Sequence, residues 1–374
     1  MVLSLTVALG LAGGIGEWLV RYRERHRSSI PGTMPLLYYR HSNLGYALVR
    51  NSDYFGWVHV NSQGFRGPEV TLEKPAGVTR IMAVGGSTTF DSDVTGDHKA
   101  WPARLAVHLA ELFPKRRFEV INAGVPGYRA LADVIRLETT LYQFKPDIII
   151  LYQGHNDIFA DLSTAHAGPL PPSDTPWEMP TETPWGQWLS RHSLLYGKFL
   201  DRWNVVQFMK RGRRMGNAAE AASPPRPDLT PALDRFRHEV ESFVLIARES
   251  GIRVVLAQPV QVSGVGVVAE PDSGRRLRWE VAVPFASPEE VLAGFRQYSQ
   301  VLREVGAELG VPFIATDGFG LAGVEWYSEG DPIHFNDRGA ERMARAMASA
   351  LVAAGVFDTA GGSESPASGT ARTR

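Results

Sequence analysis

The sequence predicts an α/β protein, a three-layer α/β/α sandwich around a parallel five-stranded sheet. Five short apolar runs follow residue 75, and they are continuous rather than alternating. Strands that are buried on both faces have this composition, which is typical of parallel sheets. Amphipathic helical patterns separate the runs, and strand–helix alternation favours a sheet with helices on both faces.

The predicted strands are the apolar runs, in chain order 80–84, 118–122, 147–152, 253–258 and 312–316. The predicted helices are the amphipathic segments 101–113, 131–144, 231–250, 288–310 and 337–355. The chain is thereby divided into an N-terminal hydrophobic segment (1–27), an extended segment (28–78), an α/β domain (79–357) with an insertion (160–230), and a disordered tail (358–374).

Composition excludes several kinds of chemistry. The 374 residues hold no cysteine, which excludes disulfides, thiolate nucleophiles and cysteine metal sites. The 39 basic and 40 acidic residues leave a net charge of −1, which does not favour a nucleic-acid partner. No cofactor is expected.

The N-terminus has no charged side chain before Glu17, and Arg21, Arg23, Arg25 and Arg27 follow it. The apolar run is shorter than the roughly 20 residues that span a bilayer, unless Glu17 is tolerated. A membrane anchor is expected, with a cleaved signal or a buried helix as alternatives. Basic residues after the run favour an inside location for the rest of the chain, which conflicts with export, so the side of the membrane stays open.

Small and polar residues follow four of the predicted strands. Ser87 comes after the first, Gly124 and Gly127 after the second, Asn156 after the third, and the pair Asp331 and His334 after the fifth. Loops at the carboxyl ends of parallel strands meet at one edge of the sheet, where α/β proteins bind ligands.

These residues are the parts that acyl transfer requires. A serine hydroxyl attacks only if a base takes its proton, which His334 could do while Asp331 holds the other ring nitrogen. The oxyanion needs preset donors. The backbone N–H groups of Ser87 and Gly127 and the side-chain amide of Asn156 could provide them.

In this order, the blocks Gly-x-Ser, Asn-x-Gly-x-x-Gly, Gly-x-Asn-Asp and Asp-x-x-His resemble the SGNH, or GDSL-type, hydrolases from about Arg80 to Gly355. The resemblance implies a flavodoxin-like fold and a serine esterase or acyltransferase. It also implies the triad Ser87, His334 and Asp331 and an oxyanion hole of Ser87, Gly127 and Asn156.

Two features of the blocks need comment. We prefer Gly127 to Gly124 because it stands five residues after the strand-end Asn122, as the family glycine usually does. The first block reads Gly-Gly-Ser where the family usually has Gly-Asp-Ser, and the missing Asp is not a triad member. The stretch NSQGFRGPE (61–69) is similar to a membrane-anchored bacterial branch of the superfamily.

Alternatives remain for single residues. Asp331 and His334 could bind a metal, but no third ligand stands at a recognisable spacing. His155 is expected to fill a loop or to contact substrate. An α/β-hydrolase elbow would need a glycine two residues after the serine, where Thr89 stands.

Three functions stay open: an esterase on a small acyl-ester substrate, carried on a carbohydrate or a lipid; an O-acyltransferase acting on a polysaccharide or lipid hydroxyl; and a non-catalytic binding protein. Oligomeric state is not predicted. The insertion contains Trp177, Trp185, Trp188 and Trp203, so we expect a folded cover over the site with a helix at 193–203.

Overall fold

The structure is a computed structural model. It describes residues 2–25, 37–54, 57–167, 228–260 and 286–358, apart from 322, 329, 330 and 332, with a few residues between 185 and 199. Most of the insertion, including Trp177 and Trp203, and the tail from 359 lie outside the described residues.

The strands are short in the N-terminal part and longer in the α/β domain. They are β1 Tyr38–His41, β2 Gly45–Leu48, β3 Ser52–Tyr54, β4 Val58–Val60, β5 Val78–Gly85, β6 Arg117–Gly124, β7 Ile148–Tyr152, β8 Arg253–Ala257 and β9 Phe313–Ile314. The helices are α1 Val2–Arg25, α2 Ser87–Phe90, α3 Trp101–Leu112, α4 Ala130–Thr139, α5 His155–Ala167, α6 Thr230–Glu249, α7 Pro288–Leu309 and α8 Asp337–Ala353.

Strands β5 to β9 form one parallel sheet in the order β6-β5-β7-β8-β9. The predicted parallel five-stranded sheet is therefore confirmed. The strand order reverses beside β5, which pairs with β6 on one side and with β7 on the other. Ligand sites in open α/β sheets lie outside the carboxyl ends of the strands at such a reversal.

Alternate residues of each strand face two separate cores, as the two-residue period of a strand requires. Met82 and Val84 of β5 pack into one core with α4, α6 and α7. Ile81 and Ala83 pack into the other core with α3 and α8. Helices on both faces of the sheet make the three layers that the apolar strands predict.

The segment expected to be extended, 28–78, contains two antiparallel strand pairs in its described part. Strand β1 pairs with β2, and β3 pairs with β4. Their buried side chains form a third core that also takes in side chains from the α/β domain: its members include Leu37, Tyr46, Leu48, Val58 and Val60, with Phe90, Val125 and Tyr128.

Helix α1 covers most of the N-terminal hydrophobic segment, and Leu11, Ile15 and Trp18 are exposed on it. The carboxylate of Glu17 accepts hydrogen bonds from the Leu194 and Leu195 N–H groups and the Ser193 hydroxyl. Among the described residues, no helix combines the length and apolar character needed to cross a membrane. Attachment to a membrane stays a prediction.

Within the segment predicted to be a helix, 193–203, Leu194 is fully buried, whereas Leu195 and Phe199 are exposed. Leu194 packs in the third core with the N-terminal strands. The cover that the insertion was expected to form over the site stays a prediction, because most of that segment lies outside the described residues.

Candidate active site

Ser87 is the first residue of the short helix α2, directly after β5. Two glycines allow this abrupt turn. Gly85 has a φ of +154°, and a Cβ there would clash with the Tyr152 carbonyl of the neighbouring strand. A Cβ at Gly86 would displace the Asn156 side-chain amide, which lies against this glycine. The turn leaves Ser87 half-buried at the carboxyl edge of the sheet.

Asp331 and His334 share one turn, and Asp331 shapes it. The Asp331 Oδ1 atom accepts hydrogen bonds from the Ile333 N–H (2.9 Å) and the His334 N–H (3.1 Å). A short acidic side chain commonly holds a turn in this way. The turn leads into α8, whose first N–H groups are capped by the Asn336 side chain. The local sequence thus places the imidazole beside the carboxylate.

A continuous hydrogen-bond chain runs from Asp331 through His334 to Ser87. The His334 Nδ1 atom lies 2.8 Å from Asp331 Oδ2, and His334 Nε2 lies 2.7 Å from Ser87 Oγ. A carboxylate can only accept, so Nδ1 carries the proton and Nε2 of the neutral ring accepts from the serine hydroxyl. Asp331 is only 4% exposed, whereas Ser87 and His334 stay partly accessible.

The two candidate glycines, Gly124 at the end of β6 and Gly127 after it, have different surroundings. The Gly124 N–H donates to the Asn122 side chain (3.1 Å), and a Cβ at Gly124 would clash with the Phe90 backbone. Gly127 has a φ of +83°, a conformation that favours glycine. No hydrogen bond from the Gly127 N–H is found within the described part of the chain. This geometry favours Gly127 as the free backbone donor.

Asn156 lies in the first turn of α5, directly after β7. One N–H of its amide donates to the Tyr128 carbonyl (2.9 Å), and the amide nitrogen lies against Gly86, next to Ser87. A side-chain amide has two N–H donors, so the second is available. The Tyr128 carbonyl also accepts from Gln153 Nε2 (3.1 Å), which ties the loop after β6 to the loop after β7.

His155 is buried beside Thr88, the residue that follows Ser87. It is 4% exposed, packs against the Tyr152 and Phe295 rings, and its Nδ1 lies 3.4 Å from the Thr88 hydroxyl. Burial, together with the neighbouring His334, lowers the pKa of His155 to about 3. The side chain is therefore neutral at working pH, and its burial argues against the substrate contact expected from the sequence.

Two further carboxylates lie near His334. Asp93 is 6% exposed, and one of its carboxylate oxygens lies within 4.8 Å of ligand atoms of Asp331 and His334. Burial raises the pKa of Asp91 to about 8, although the Trp101 N–H and Arg66 oppose the shift. Asp93, Asp331 and His334 are thus three side chains that could together bind a metal ion. The sequence spacing did not reveal Asp93 as the third of them. Asp331 and His334 also bind each other directly, through Oδ2 and Nδ1 at 2.8 Å.

The chain also matches a known family. Residues 83–342 match the sequence model of the GDSL-like lipase/acylhydrolase family. The chain therefore belongs to this family and is an ester-hydrolysing enzyme. No curated protein sequence matches the chain significantly.

Several solved structures are similar to this one. The acetylxylan esterase Axe2 from Geobacillus stearothermophilus has a TM-score of 0.41 and 16% identity, covering 74% of this chain and 94% of that one. LAE5, an alpha/beta hydrolase from the metagenome of Lake Arreo in Spain, has a TM-score of 0.43 and 16% identity, covering 75% and 97%. A putative lipolytic protein of the G-D-S-L family from Desulfitobacterium hafniense has a TM-score of 0.41 and 14% identity, covering 73% and 99%.

Proposed function

We propose that this enzyme is a serine esterase that removes an acyl group through an acyl-enzyme on Ser87. The observation that supports this most is the hydrogen-bond chain from Asp331 through His334 to Ser87, with links of 2.8 and 2.7 Å. Nucleophile, base and orienting acid stand within hydrogen-bond reach of one another, which is the geometry that activates a serine.

The proposed reaction uses this geometry in two stages. His334 Nε2 takes the proton of Ser87 Oγ while the oxygen attacks the ester carbonyl carbon. The negative charge on the carbonyl oxygen is met by the Ser87 and Gly127 N–H groups and the Asn156 amide. The intermediate collapses, His334 protonates the departing alcohol, and the acyl group stays on Ser87. Water, deprotonated by His334, then attacks this ester, and His334 returns the proton to Ser87 Oγ as the acid is released.

A panel of esters tests the proposal and defines the acyl group. Purified full-length protein would be assayed against acetyl, butyryl and longer-chain aryl esters, with and without a polysaccharide acceptor. Turnover with acid release, and stoichiometric labelling by a fluorophosphonate, are expected. Acyl transfer that needs the polysaccharide would favour the acyltransferase. The absence of both turnover and labelling would sink the serine mechanism.

Replacing Asn156 by alanine is expected to lower kcat by roughly 10²–10³ with little change in KM. The amide meets the oxyanion only after attack, so its loss affects the transition state more than substrate binding. Steady-state kinetics on the best ester would measure both constants. Thermal unfolding would verify that the variant is folded. A raised KM with an unchanged kcat would instead make Asn156 a substrate contact.

Ester turnover is expected to be unaffected by prolonged treatment with EDTA. The His334 Nδ1 atom is 2.8 Å from Asp331 Oδ2, so the pair is complete with a proton between them. Serine attack in this scheme requires no Lewis acid. Rates would be compared before chelation, after chelation and after adding zinc. Activity that EDTA removes and zinc restores would assign a metal to Asp93, Asp331 and His334.

A further inference from the structure

Residues that precede the family match contact the loops of the active site. The match begins at residue 83. Ahead of it lie strands β1 to β4 and the turn that follows them, residues 37–54 and 57–67, which we name the N-terminal brace. The third core joins the brace to Phe90 of α2, the helix that begins at Ser87, and to Val125 and Tyr128 of the loop after β6. The brace thus packs on α2, which holds Ser87, and on the loop that holds Gly127.

Arg66 links the brace to α2. It is 3% exposed, and its Nη1 donates to the carbonyls of Phe90 (2.9 Å) and Asp91 (2.6 Å). Its Nε donates to Asp97 Oδ1 (2.7 Å), and its Nη2 donates to the Trp57 carbonyl (3.0 Å). All three guanidinium nitrogens are therefore engaged. The planar fork of arginine fixes acceptors in a geometry that a lysine ammonium cannot reproduce.

The two carbonyls that Arg66 holds lie at the C-terminal end of α2, whose first residue is Ser87. A helix of four residues has few bonds of its own, and here the Asp91 N–H closes it onto the Ser87 carbonyl (2.8 Å). Asp91 itself has a φ of +66°, an uncommon conformation for a residue other than glycine. Contacts from outside are therefore needed to hold this turn, and Arg66 supplies two of them.

Tyr46 links the brace to the loop after β6, which contains Gly127. Its hydroxyl donates to the Pro126 carbonyl (2.7 Å), and the Tyr128 hydroxyl donates back to the Tyr46 carbonyl. Pro126 and Tyr128 are the chain neighbours of Gly127, so these two bonds hold the chain on either side of it. Burial raises the pKa of Tyr46 well above its ordinary value, so the hydroxyl remains protonated and a donor throughout the working pH range.

We propose that Arg66 and Tyr46 are positioning residues for this reaction: the brace holds Ser87 and the Gly127 N–H in register through the α2 carbonyls and the Pro126 carbonyl. This inference rests on the proposed serine mechanism. A displacement of about 1 Å at a reacting group can cost on the order of 100-fold in rate, even when the altered residue does not touch substrate.

The chain offers a matched control in Arg80. Arg80 is 0% exposed, lies on the same strand that leads to Ser87, and donates to the carbonyls of Phe144 (2.6 Å) and Leu72 (3.2 Å). It also pairs with Glu119. Arg80 stands near the start of β5, whereas Ser87 follows its end. Loss of either buried arginine is expected to destabilise the fold, but only Arg66 holds the active-site turn.

The test compares Arg66→Lys, Tyr46→Phe and Arg80→Lys in the full chain, with kcat, KM, fluorophosphonate labelling rate and melting temperature for each. We expect Arg66→Lys to lower kcat and the labelling rate by about 10- to 100-fold with KM nearly unchanged. Tyr46→Phe is expected to lower kcat several-fold. Arg80→Lys should lose thermal stability while keeping kcat. Unchanged kcat in both folded brace variants, or an equal loss in Arg80→Lys, would overturn the proposal.

A second measurement does not depend on the esterase reaction. Hydrogen exchange would be followed at the backbone amides of 87–92 and of Val125, Gly127 and Tyr128. Exchange in the first segment is expected to rise in Arg66→Lys and to stay near the wild-type rate in Arg80→Lys. If the wild-type enzyme neither hydrolyses esters nor reacts with the fluorophosphonate, the serine mechanism fails. The exchange rates would still test whether Arg66 holds the turn at 87–92. Equal exchange rates in Arg66→Lys and Arg80→Lys would refute the positioning role proposed for Arg66 and would leave the serine mechanism untouched.

Discussion

Ser87→Ala is expected to abolish fluorophosphonate labelling and to lower ester turnover by several orders of magnitude. The substitution removes the oxygen that lies 2.7 Å from His334 Nε2, so no acyl-enzyme can form. Donors and binding alone leave a residual rate of about 10³–10⁴ over water in enzymes of this kind. Labelling is read by intact mass, and turnover is measured on the best ester of the panel.

Ser349→Ala provides the matched control for this experiment. Ser349 is an exposed serine on α8 that donates to the Arg345 carbonyl one turn earlier, and it takes no part in the site. This variant is expected to label and to turn over as the wild type does. Labelling that persists in Ser87→Ala would assign the nucleophile to another residue.

The sheet could be predicted because strands buried on both faces must be continuously apolar, and this holds for 81–84 of β5, for all of β7 and for 254–257 of β8. The site could be predicted for a related reason. Each block directly follows a strand, and parallel strands bring their carboxyl ends to one edge. Asp331 and His334 need only one turn to meet, so their contact is local and the sequence spacing is sufficient to reveal it.

The contacts of the brace could not be predicted in the same way. Strands β1 to β4 are three or four residues long, too short for an alternating pattern to be recognised. Arginine is ordinarily exposed, so a buried Arg66 that donates to four groups has no sequence signal of its own. Helix α5 was missed because polar residues fill its first turn and also part of its buried face, where Ile158 and Leu162 lie beside Asp157 and Asp161. Asp93 lies near Asp331 and His334 only in the folded chain, a proximity that no sequence spacing reveals.

The choice between Gly124 and Gly127 shows how the structure adds to the sequence. The spacing from Asn122 favoured Gly127, and the hydrogen bonds now give a physical reason for it. Asn122 uses its side-chain oxygen for the Gly124 N–H and its amide for the Phe90 carbonyl (3.1 Å). Phe90 is thus held from one side by the strand-end asparagine and from the other by Arg66. Gly124 serves close packing, and Gly127 stays available as a donor.

Asp331→Asn is expected to lower kcat by about 10⁴ while leaving the fold intact, by analogy with other serine triads. An asparagine can keep the bonds from the Ile333 and His334 N–H groups, because its side-chain oxygen can replace Asp331 Oδ1. Its amide N–H₂ would then face His334 Nδ1, and a donor there moves the ring proton to Nε2. The imidazole would donate to Ser87 Oγ instead of accepting its proton.

The pH–rate profile of the same variant tests the assignment independently. Wild-type activity is expected to rise as His334 loses its proton, in the range between about pH 5 and 8 where histidine titrates. His155 cannot produce this limb, because its pKa is lowered to about 3. Removing the Asp331 charge destabilises the imidazolium, so the rising part of the pH–rate profile should move to lower pH.

Asp317→Asn, a change at an exposed aspartate away from Asp331 and His334, is the control and should keep both the rate and the pH–rate profile. If Asp331→Asn keeps kcat within about tenfold of wild type, the carboxylate does not orient the base, and His334 acts without it.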